Sequence, residues 1–254
     1  MGEKSMISSM SFNIYYNPSD AQMERVVKLI KNYMPDTIGL QEATTEWMEY
    51  LRKELGDIYG DVGKGRDGGS RGEHSSVLYK KSRFDLVDSG TKWLSATPDI
   101  EATRFEGANH LRVATYALLC DKENGQSIMH VNTHLGLEPQ LRPRQLEVLI
   151  NEVKKQPSVP FIVTGDYNWE DTASLSEMME DFDCVNSASI AKIGDKDTTP
   201  TFHGWSDDIT PCLIDYVYIT AASASVEEYR VCTEKIDGDY PSDHYPLLVK
   251  WHTN

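Results

Sequence analysis

The most apolar run in the middle of the chain, Val159 to Val163, lies between a polar helical stretch and the elbow Thr164-Gly165-Asp166-Tyr167-Asn168-Trp169. A short run of this kind ending at a glycine predicts a buried strand, with Asp166 and Asn168 at its carboxyl end. Open α/β sheets bind their ligands at that end of the strands. Nearer the N-terminus, Ile7 to Tyr16 predicts a strand that contains Asn13 and stops at Asn17-Pro18. From Ser19 the apolar positions shift to Met23, Val26, Val27, Ile30 and Met34, one face of a helix, with Ser19 and Gln22 spaced as a capping box and Pro35 as the stop. Thr37 to Gln41 predicts a short buried strand running into Glu42, and Trp47, Met48, Leu51 and Leu55 mark a second helix closed by Gly56. Strand, helix, strand, helix is the signature of an α/β protein.

Beyond this point the pattern loosens. Asp57 to Arg71 is glycine-rich and charged, which predicts a mobile surface loop; its Gly63-Lys64-Gly65 lacks the spacing of a phosphate-binding P-loop. Ser75 to Lys80 and Phe84 to Leu94 read as strands paired about Lys81-Ser82-Arg83, and Ser95 to Leu111 as a second loop beside the site. Arg112 to Cys120 and Ser127 to Thr133 alternate well and are joined by Glu123-Asn124-Gly125, a hairpin signal. Leu141, Leu146, Leu149, Ile150 and Val153 predict a helix before the central strand, and Thr172 to Met179 a short one after it. Asn186 to Pro211 is polar and rich in turn formers, whereas Leu213 to Ile219, Val226 to Val231 and Tyr245 to Trp251 return to strand composition.

At 254 residues the chain is long enough for one large domain, expected over residues 7–252. A formal charge of -15, from 25 Lys and Arg against 40 Asp and Glu, repels polyanions and supplies no basic footprint for long nucleic acid. Cys120, Cys184, Cys212 and Cys232 are too dispersed for a zinc knuckle or a dense disulfide framework. Free thiols point to a reducing compartment, hence the cytoplasm, with secretion left open if a signal peptide has been removed. No stretch approaches a membrane span, so no stable membrane association is expected, and a monomer is.

Polar residues stand at six predicted strand ends: Asn13, Glu42, His134, Asp166 with Asn168, Asp215 and the pair Asp243-His244. Taken singly, each has an ordinary explanation, such as an Asx turn at Asp166, a helix cap at Glu42 or a satisfied core histidine at His134. Hard oxygen donors such as Glu42, Asn13 and Asp243 suit Mg²⁺ or Mn²⁺ rather than zinc. Neighbours on a strand face opposite ways, so Asp243 cannot easily pair with His244. A carboxylate in the apolar strand at Ile214-Asp215-Tyr216 needs a partner, which makes Asp215 the candidate.

The ordered set Ser11-Phe12-Asn13-Ile14, Leu40-Gln41-Glu42, Asn132-Thr133-His134-Leu135, Thr164-Gly165-Asp166-Tyr167-Asn168, Ile214-Asp215-Tyr216 and Ser242-Asp243-His244 resembles the endonuclease/exonuclease/phosphatase superfamily. Thr201-Phe202-His203-Gly204-Trp205 and Ser89 to Ser95 resemble loops of its small bacterial members. The resemblance implies a four-layer α/β/β/α sandwich of two mixed β-sheets flanked by helices, with the site at one rim, and a metal-dependent hydrolase of phosphoester bonds, phosphodiesterase or phosphatase. It implies Glu42 as principal Mg²⁺ ligand (Mn²⁺ a substitute) with Asn13 and Asp243 completing the metal site, and Asp166 orienting or deprotonating the attacking water. Asn168 and a His244 held by Asp215 would contact the phosphate, and Glu73 would pair with His134. Arg112, at a strand start, is a candidate for a second phosphate contact. The substrate is expected to be a phosphorylated small molecule or a short nucleic-acid end; a lipid phosphodiesterase of the sphingomyelinase kind, a deoxyribonuclease-like endonuclease and, last, a non-catalytic binding module are the alternatives.

Overall fold

A computed structural model describes residues 6–196, 198–208, 210, 212–222 and 224–253. In chain order the elements are β1 (Ile7–Asn13), α1 (Asp20–Tyr33), β2 (Thr37–Ala43), α2 (Thr45–Leu55), β3 (Tyr59–Val62), β4 (His74–Lys80), β5 (Phe84–Trp93), β6 (Val113–Asp121) and β7 (Ser127–His134). There follow α3 (Arg142–Lys154), β8 (Phe161–Asp166), α4 (Thr172–Glu180), β9 (Cys184–Asn186), α5 (Ser187–Ile190), β10 (Ile193–Gly194), β11 (Asp215–Thr220), β12 (Ala224–Val231) and β13 (Leu247–Thr253). A 7-stranded mixed sheet has the order β10-β12-β13-β1-β2-β4-β3 and a 6-stranded one the order β5-β6-β7-β8-β11-β9.

Three apolar clusters define four layers. Ile7, Val77, Ala117, Ile128, Ile162, Val217 and Val249 fill the space between the sheets. On the outer face of the larger sheet Met10, Phe12, Ile38 and Leu40 pack under Val26, Ile30, Trp47 and Leu51 of α1 and α2. On the outer face of the smaller sheet Met129, Val131, Val163 and Tyr216 pack under Leu146, Leu149, Ile150 and Leu175 of α3 and α4. The expected α/β/β/α sandwich is therefore what forms.

The period of two along each central strand explains why the site lies where it does. In β1 the inner face reads Ile7, Ser9, Ser11, Asn13; in β8 it reads Ile162, Thr164, Asp166. Apolar residues at one end give way to small polar ones in the middle and to Asn13, His134, Asp166 and Asp215 at the rim. The middle polar layer is satisfied across the sheets: Gln41 Nε2 donates to Asn132 Oδ1 (2.6 Å), and Asn132 Nδ2 donates to the carbonyls of Leu40 (2.7 Å) and Ser76 (3.0 Å). The sheets approach closely enough here that a Cβ on Gly39 would lie 2.0 Å from Thr164 Oγ1.

Several sequence expectations are corrected. Residues 75–80 and 84–94 do form strands, but β4 pairs with β2 and β3 in one sheet whereas β5 pairs with β6 in the other. Lys81-Ser82-Arg83 has no hairpin glycine or asparagine; Arg83 instead spans the sheets, bound to Asp36 (2.7 Å) and Asp121 (3.0 Å). The loop expected from Asp57 contains β3, and β9, α5 and β10 occupy a region read as largely irregular; each is only 2 to 4 residues long. β1 stops at Asn13 rather than Tyr16 because Tyr15 turns to φ 66°.

Candidate active site

Local backbone geometry places each rim side chain. Glu42 sits in an irregularity of the β2–β4 ladder between Leu40 and Ala43 and has φ 60°, a left-handed conformation costly for a residue with a Cβ and common at functional sites. The departure from the pleat turns its carboxylate into the cleft. Its Oε1 accepts from Asn13 Nδ2 (3.1 Å) and its Oε2 from the Tyr16 amide (2.9 Å). Asn13 Nδ2 also reaches Asp166 Oδ2 (3.1 Å), and Asn13 Oδ1 accepts from the Tyr15 amide (3.1 Å). Asn13 thus spaces two carboxylates with its amide hydrogens, while its own oxygen is engaged by the backbone. Ser242 Oγ, buried, donates to the Asn13 carbonyl (2.6 Å) and ties the Ser242-Asp243-His244 segment to β1.

The elbow after β8 forms the Asx turn that its composition suggests, with the Asn168 amide donating to Asp166 Oδ1 (2.9 Å). That turn leaves Oδ2 directed at the cleft, so the turn and the site coexist. Asn168, at φ 51°, sends its Nδ2 to His134 Nε2 and to the Leu135 carbonyl, both at 3.0 Å. A donor on Nε2 places the His134 proton on Nδ1, which has no partner among the described residues. Burial and then the nearby Arg112 hold the His134 pKa well below its ordinary value. At 3.4 Å from Asp166 Oδ2, this ring is therefore a neutral neighbour and not an ion-pair partner.

His244 is the opposite case. Burial alone would push its pKa down, but Asp215, whose Oδ2 lies 2.9 Å from Nδ1, with Asp166 and Asp243 beyond, outweighs burial and raises it to about 10. His244 Nε2 lies 3.8 Å from Asp166 Oδ2. The expected pairing with Asp215 is present, but Asp243 and His244 lie in a turn before β13 and not on a strand. Burial, with Asp215 behind it, raises the Asp166 pKa; burial also raises that of Asp243, against His244 and with Glu42 adding. These carboxylates therefore hold charge at a cost that a bound cation would relieve.

Arg112 is 5% exposed; its carbonyl accepts from the Leu94 amide (2.8 Å), but its buried Nε has no hydrogen-bond partner among the described residues. The expected Glu73–His134 pair is not found: Glu73 forms an ion pair with Arg66 (2.7 Å), which lies in the loop between β3 and β4. The Gly65–His74 bridge and a hydrogen bond from Trp93 Nε1 to the Arg66 carbonyl (2.7 Å) fold that loop inward, and no local pattern announces it. Of the basic residues near this loop, Arg66 alone lines the cleft. Lys64 is bound to Glu101, Lys80 and Arg83 to Asp36, and Lys81 to the Gly56 carbonyl. Tyr16, His110, Arg142, Glu170 and Phe202 also line the cleft, whose volume is about 670 Å³, and were not singled out as site residues.

The donor set fits a hard divalent cation. Glu42, His134 and Asp166 each bring one ligand atom within 4.8 Å of the others, and the Asp243 carboxylate lies within the field of Glu42. Oxygen donors predominate, and the thiols are elsewhere or, at Cys212, pushed up to about 11 by burial.

In comparisons with solved structures, an endonuclease/exonuclease/phosphatase from Bacteroides vulgatus is 29% identical at a TM-score of 0.90, over 99% of this chain and 100% of that one. A mannosyl-6-phosphatase of Bacteroides thetaiotaomicron is 24% identical, with a TM-score of 0.87 over 96% of this chain and 99% of that one. The catalytic domain of human Nocturnin, solved with sulfate, is 18% identical, with a TM-score of 0.76 over 99% and 97%; these two show the shared fold. No curated protein matches the sequence significantly. The chain matches the endonuclease/exonuclease/phosphatase family over residues 10–244, and with the rim residues of six separate strands and turns brought to one cleft, it belongs to that family.

Proposed function

We propose that the protein hydrolyses phosphoester bonds with Mg²⁺, or Mn²⁺ in its place, and that its substrate is a small phosphorylated molecule or a short nucleic-acid end. The observation that carries this reading is the convergence of Glu42, Asp166, Asn168 and the His244–Asp215 pair on one cleft beside the unpaired Arg112. Glu42 and Asp243 would hold the cation, with Asn13 fixing Glu42; its carbonyl oxygen is already engaged by Tyr15. When bound, a divalent cation neutralises phosphate charge and polarises the P–O bond.

The residues supply the rest. Asp166, its Oδ1 pinned by the Asn168 amide, positions the attacking water and accepts its proton through Oδ2. His244 stays protonated because of Asp215 and donates through Nε2 to a phosphoryl oxygen as negative charge develops there. Both amide hydrogens of Asn168 are held, by neutral His134 Nε2 and by the Leu135 carbonyl, so Asn168 would reach the same group only by exchanging one of those bonds for it. Arg112 offers a buried guanidinium with no direct ion-pair contact among the described residues, which a phosphate would provide. The likeness to a mannosyl-6-phosphatase and a cleft of about 670 Å³ both support a small ester over an extended polymer.

The test is a panel of sugar phosphates, nucleotides, inositol phosphates and phospholipid head-group esters, assayed for Mg²⁺-dependent phosphate or alcohol release by wild type and by Asp166→Ala. Turnover of at least one small ester that the variant loses is expected; turnover of all active esters unchanged in Asp166→Ala would overturn the assignment.

A further inference from the structure

We infer that Tyr16 forms a stacking subsite for a hydroxyl-bearing ring, such as a pyranose, carried by the alcohol part of the substrate; this rests on the phosphoester reading above. Tyr16 is 53% exposed although it lines the cleft. An exposed aromatic is ordinarily unremarkable, but this one is held in place. Its amide donates to Glu42 Oε2 (2.9 Å), the Tyr15 carbonyl accepts from Trp47 Nε1 (2.8 Å), and the Tyr15 amide donates to Asn13 Oδ1 (3.1 Å). Behind it the rings form a file: Tyr16 lies 5.2 Å from Tyr15, and Tyr15 lies 5.2 Å edge-on from Trp205. The backbone that carries the ring is thereby ordered before any ligand arrives, and the Tyr15 ring backs one side of it.

A second exposed apolar side chain at the cleft, Leu137, 55% exposed, is fixed in the same manner by Arg142, which donates to the carbonyls of Gly136 (2.9 Å) and Leu137 (2.6 Å). Phe202 and Ile214 also line the cleft, and its polar lining away from the catalytic cluster includes the Arg66–Glu73 pair, Glu170 and Arg142. A nucleobase is flat and apolar on both faces and is best held in a slot. A sugar ring has one C–H face suited to a single aromatic and an edge of hydroxyl donors suited to carboxylates such as Glu170. The carboxylates around the cleft also disfavour a second phosphate on the alcohol part. The ring face and its hydroxyl edge therefore match one substrate class, a phosphate ester of a neutral sugar.

Tyr16→Ala keeps the amide that holds Glu42, so the variant separates ring from backbone; Tyr16→Phe keeps the ring and tests the hydroxyl. The experiment compares kcat/KM for a hexose 6-phosphate, glycerol 3-phosphate and a nucleoside 5'-monophosphate in wild type and both variants. The inference expects wild type to prefer the hexose ester over the glycerol ester, and Tyr16→Ala to reduce that preference about tenfold, the scale of one ring contact, while Tyr16→Phe retains it. An unchanged ratio in Tyr16→Ala, or a Tyr16-dependent preference for the nucleotide over the hexose ester, would overturn it. If no ester is hydrolysed the phosphoesterase reading itself fails. The stacking subsite is then judged by calorimetry alone: it stands if hexose 6-phosphate binds about tenfold more weakly to Tyr16→Ala than to wild type while inorganic phosphate does not, and it falls otherwise.

Discussion

Asp215 and His244 lie 2.9 Å apart, as expected for a carboxylate that needs a partner in an apolar strand, although Asp243 and His244 lie in a turn before β13 and the alternation of a strand does not apply to them. The pair behaves as a unit, so His244→Ala and Asp215→Asn should each reduce kcat by roughly 100-fold or more, with the double variant little worse than either. Fully additive losses in steady-state kinetics would separate the two residues. Because the folded pKa of His244 is raised above the free value, the stability from its charge is fully present below about pH 6.5 and is lost as pH rises through about 10. Activity that needs this proton should fall along an alkaline limb, and Asp215→Asn should move that limb to lower pH. An NMR titration of the imidazole in both proteins checks the sign. The failed Glu73–His134 expectation shows the opposite case: Arg66, which takes Glu73, reaches it through a loop fold that neighbouring residues do not encode.

Metal binding belongs to the same scale. Burial makes the charged forms of Asp166 and Asp243 costly, so a cation should stabilise the folded state, by about 2.7 kcal/mol at a hundredfold excess over Kd. Differential scanning calorimetry should show Tm rising with Mg²⁺ or Mn²⁺ in wild type and much less in Glu42→Gln. An equal rise in the variant would remove Glu42 from the metal site.

Among the elements, those whose pattern was strongly periodic were legible to within a few residues: α1 with its Ser19–Gln22 capping box, α2, α3 and the β6–β7 hairpin. The polar inner faces of β1, β2, β7 and β8 were harder to read. Serines and threonines between apolar residues suggest a solvated face, yet here they form the buried layer joining the sheets, since which face meets another sheet is decided by topology. Nor could the sequence assign β4 and β5 to different sheets, because the Arg83–Asp36–Asp121 tie that fixes the crossing is long-range. The close approach of the sheets can be tested at Gly39, where a Cβ would meet Thr164 Oγ1 at 2.0 Å and Asn132 Oδ1 at 2.6 Å. Gly39→Ala should cost roughly 1–3 kcal/mol through overpacking, at the upper end because the atoms displaced belong to a hydrogen-bonded layer. Denaturant unfolding measures this, and a loss below about 0.5 kcal/mol, the range of neutral surface changes, would mean the sheets can separate freely.

For the molecule as a whole, a net charge of -15 sets a field that opposes extended polyanions. Among the described residues, no helix is long and apolar enough to cross a membrane. Most basic residues near the site are committed to ion pairs or carbonyls, leaving the Arg112 side chain buried without a direct ion pair among the described residues, in the longer-range field of Glu73, Asp166 and Glu42. Turnover of small esters should therefore change little with salt, whereas any action on plasmid DNA should be weak; efficient nicking with a steep salt dependence would place the chain with proteins that track duplex backbones.

The most direct test of the account is metal rescue of catalysis. Protein stripped with EDTA is assayed on a small phosphate ester before and after Mg²⁺ or Mn²⁺ is restored, in wild type and in Glu42→Gln. The account predicts no turnover without metal, full recovery in wild type, and recovery in Glu42→Gln reduced by roughly 100-fold at the same metal concentration. Hydrolysis that persists in EDTA, or equal rescue of both proteins, would contradict it.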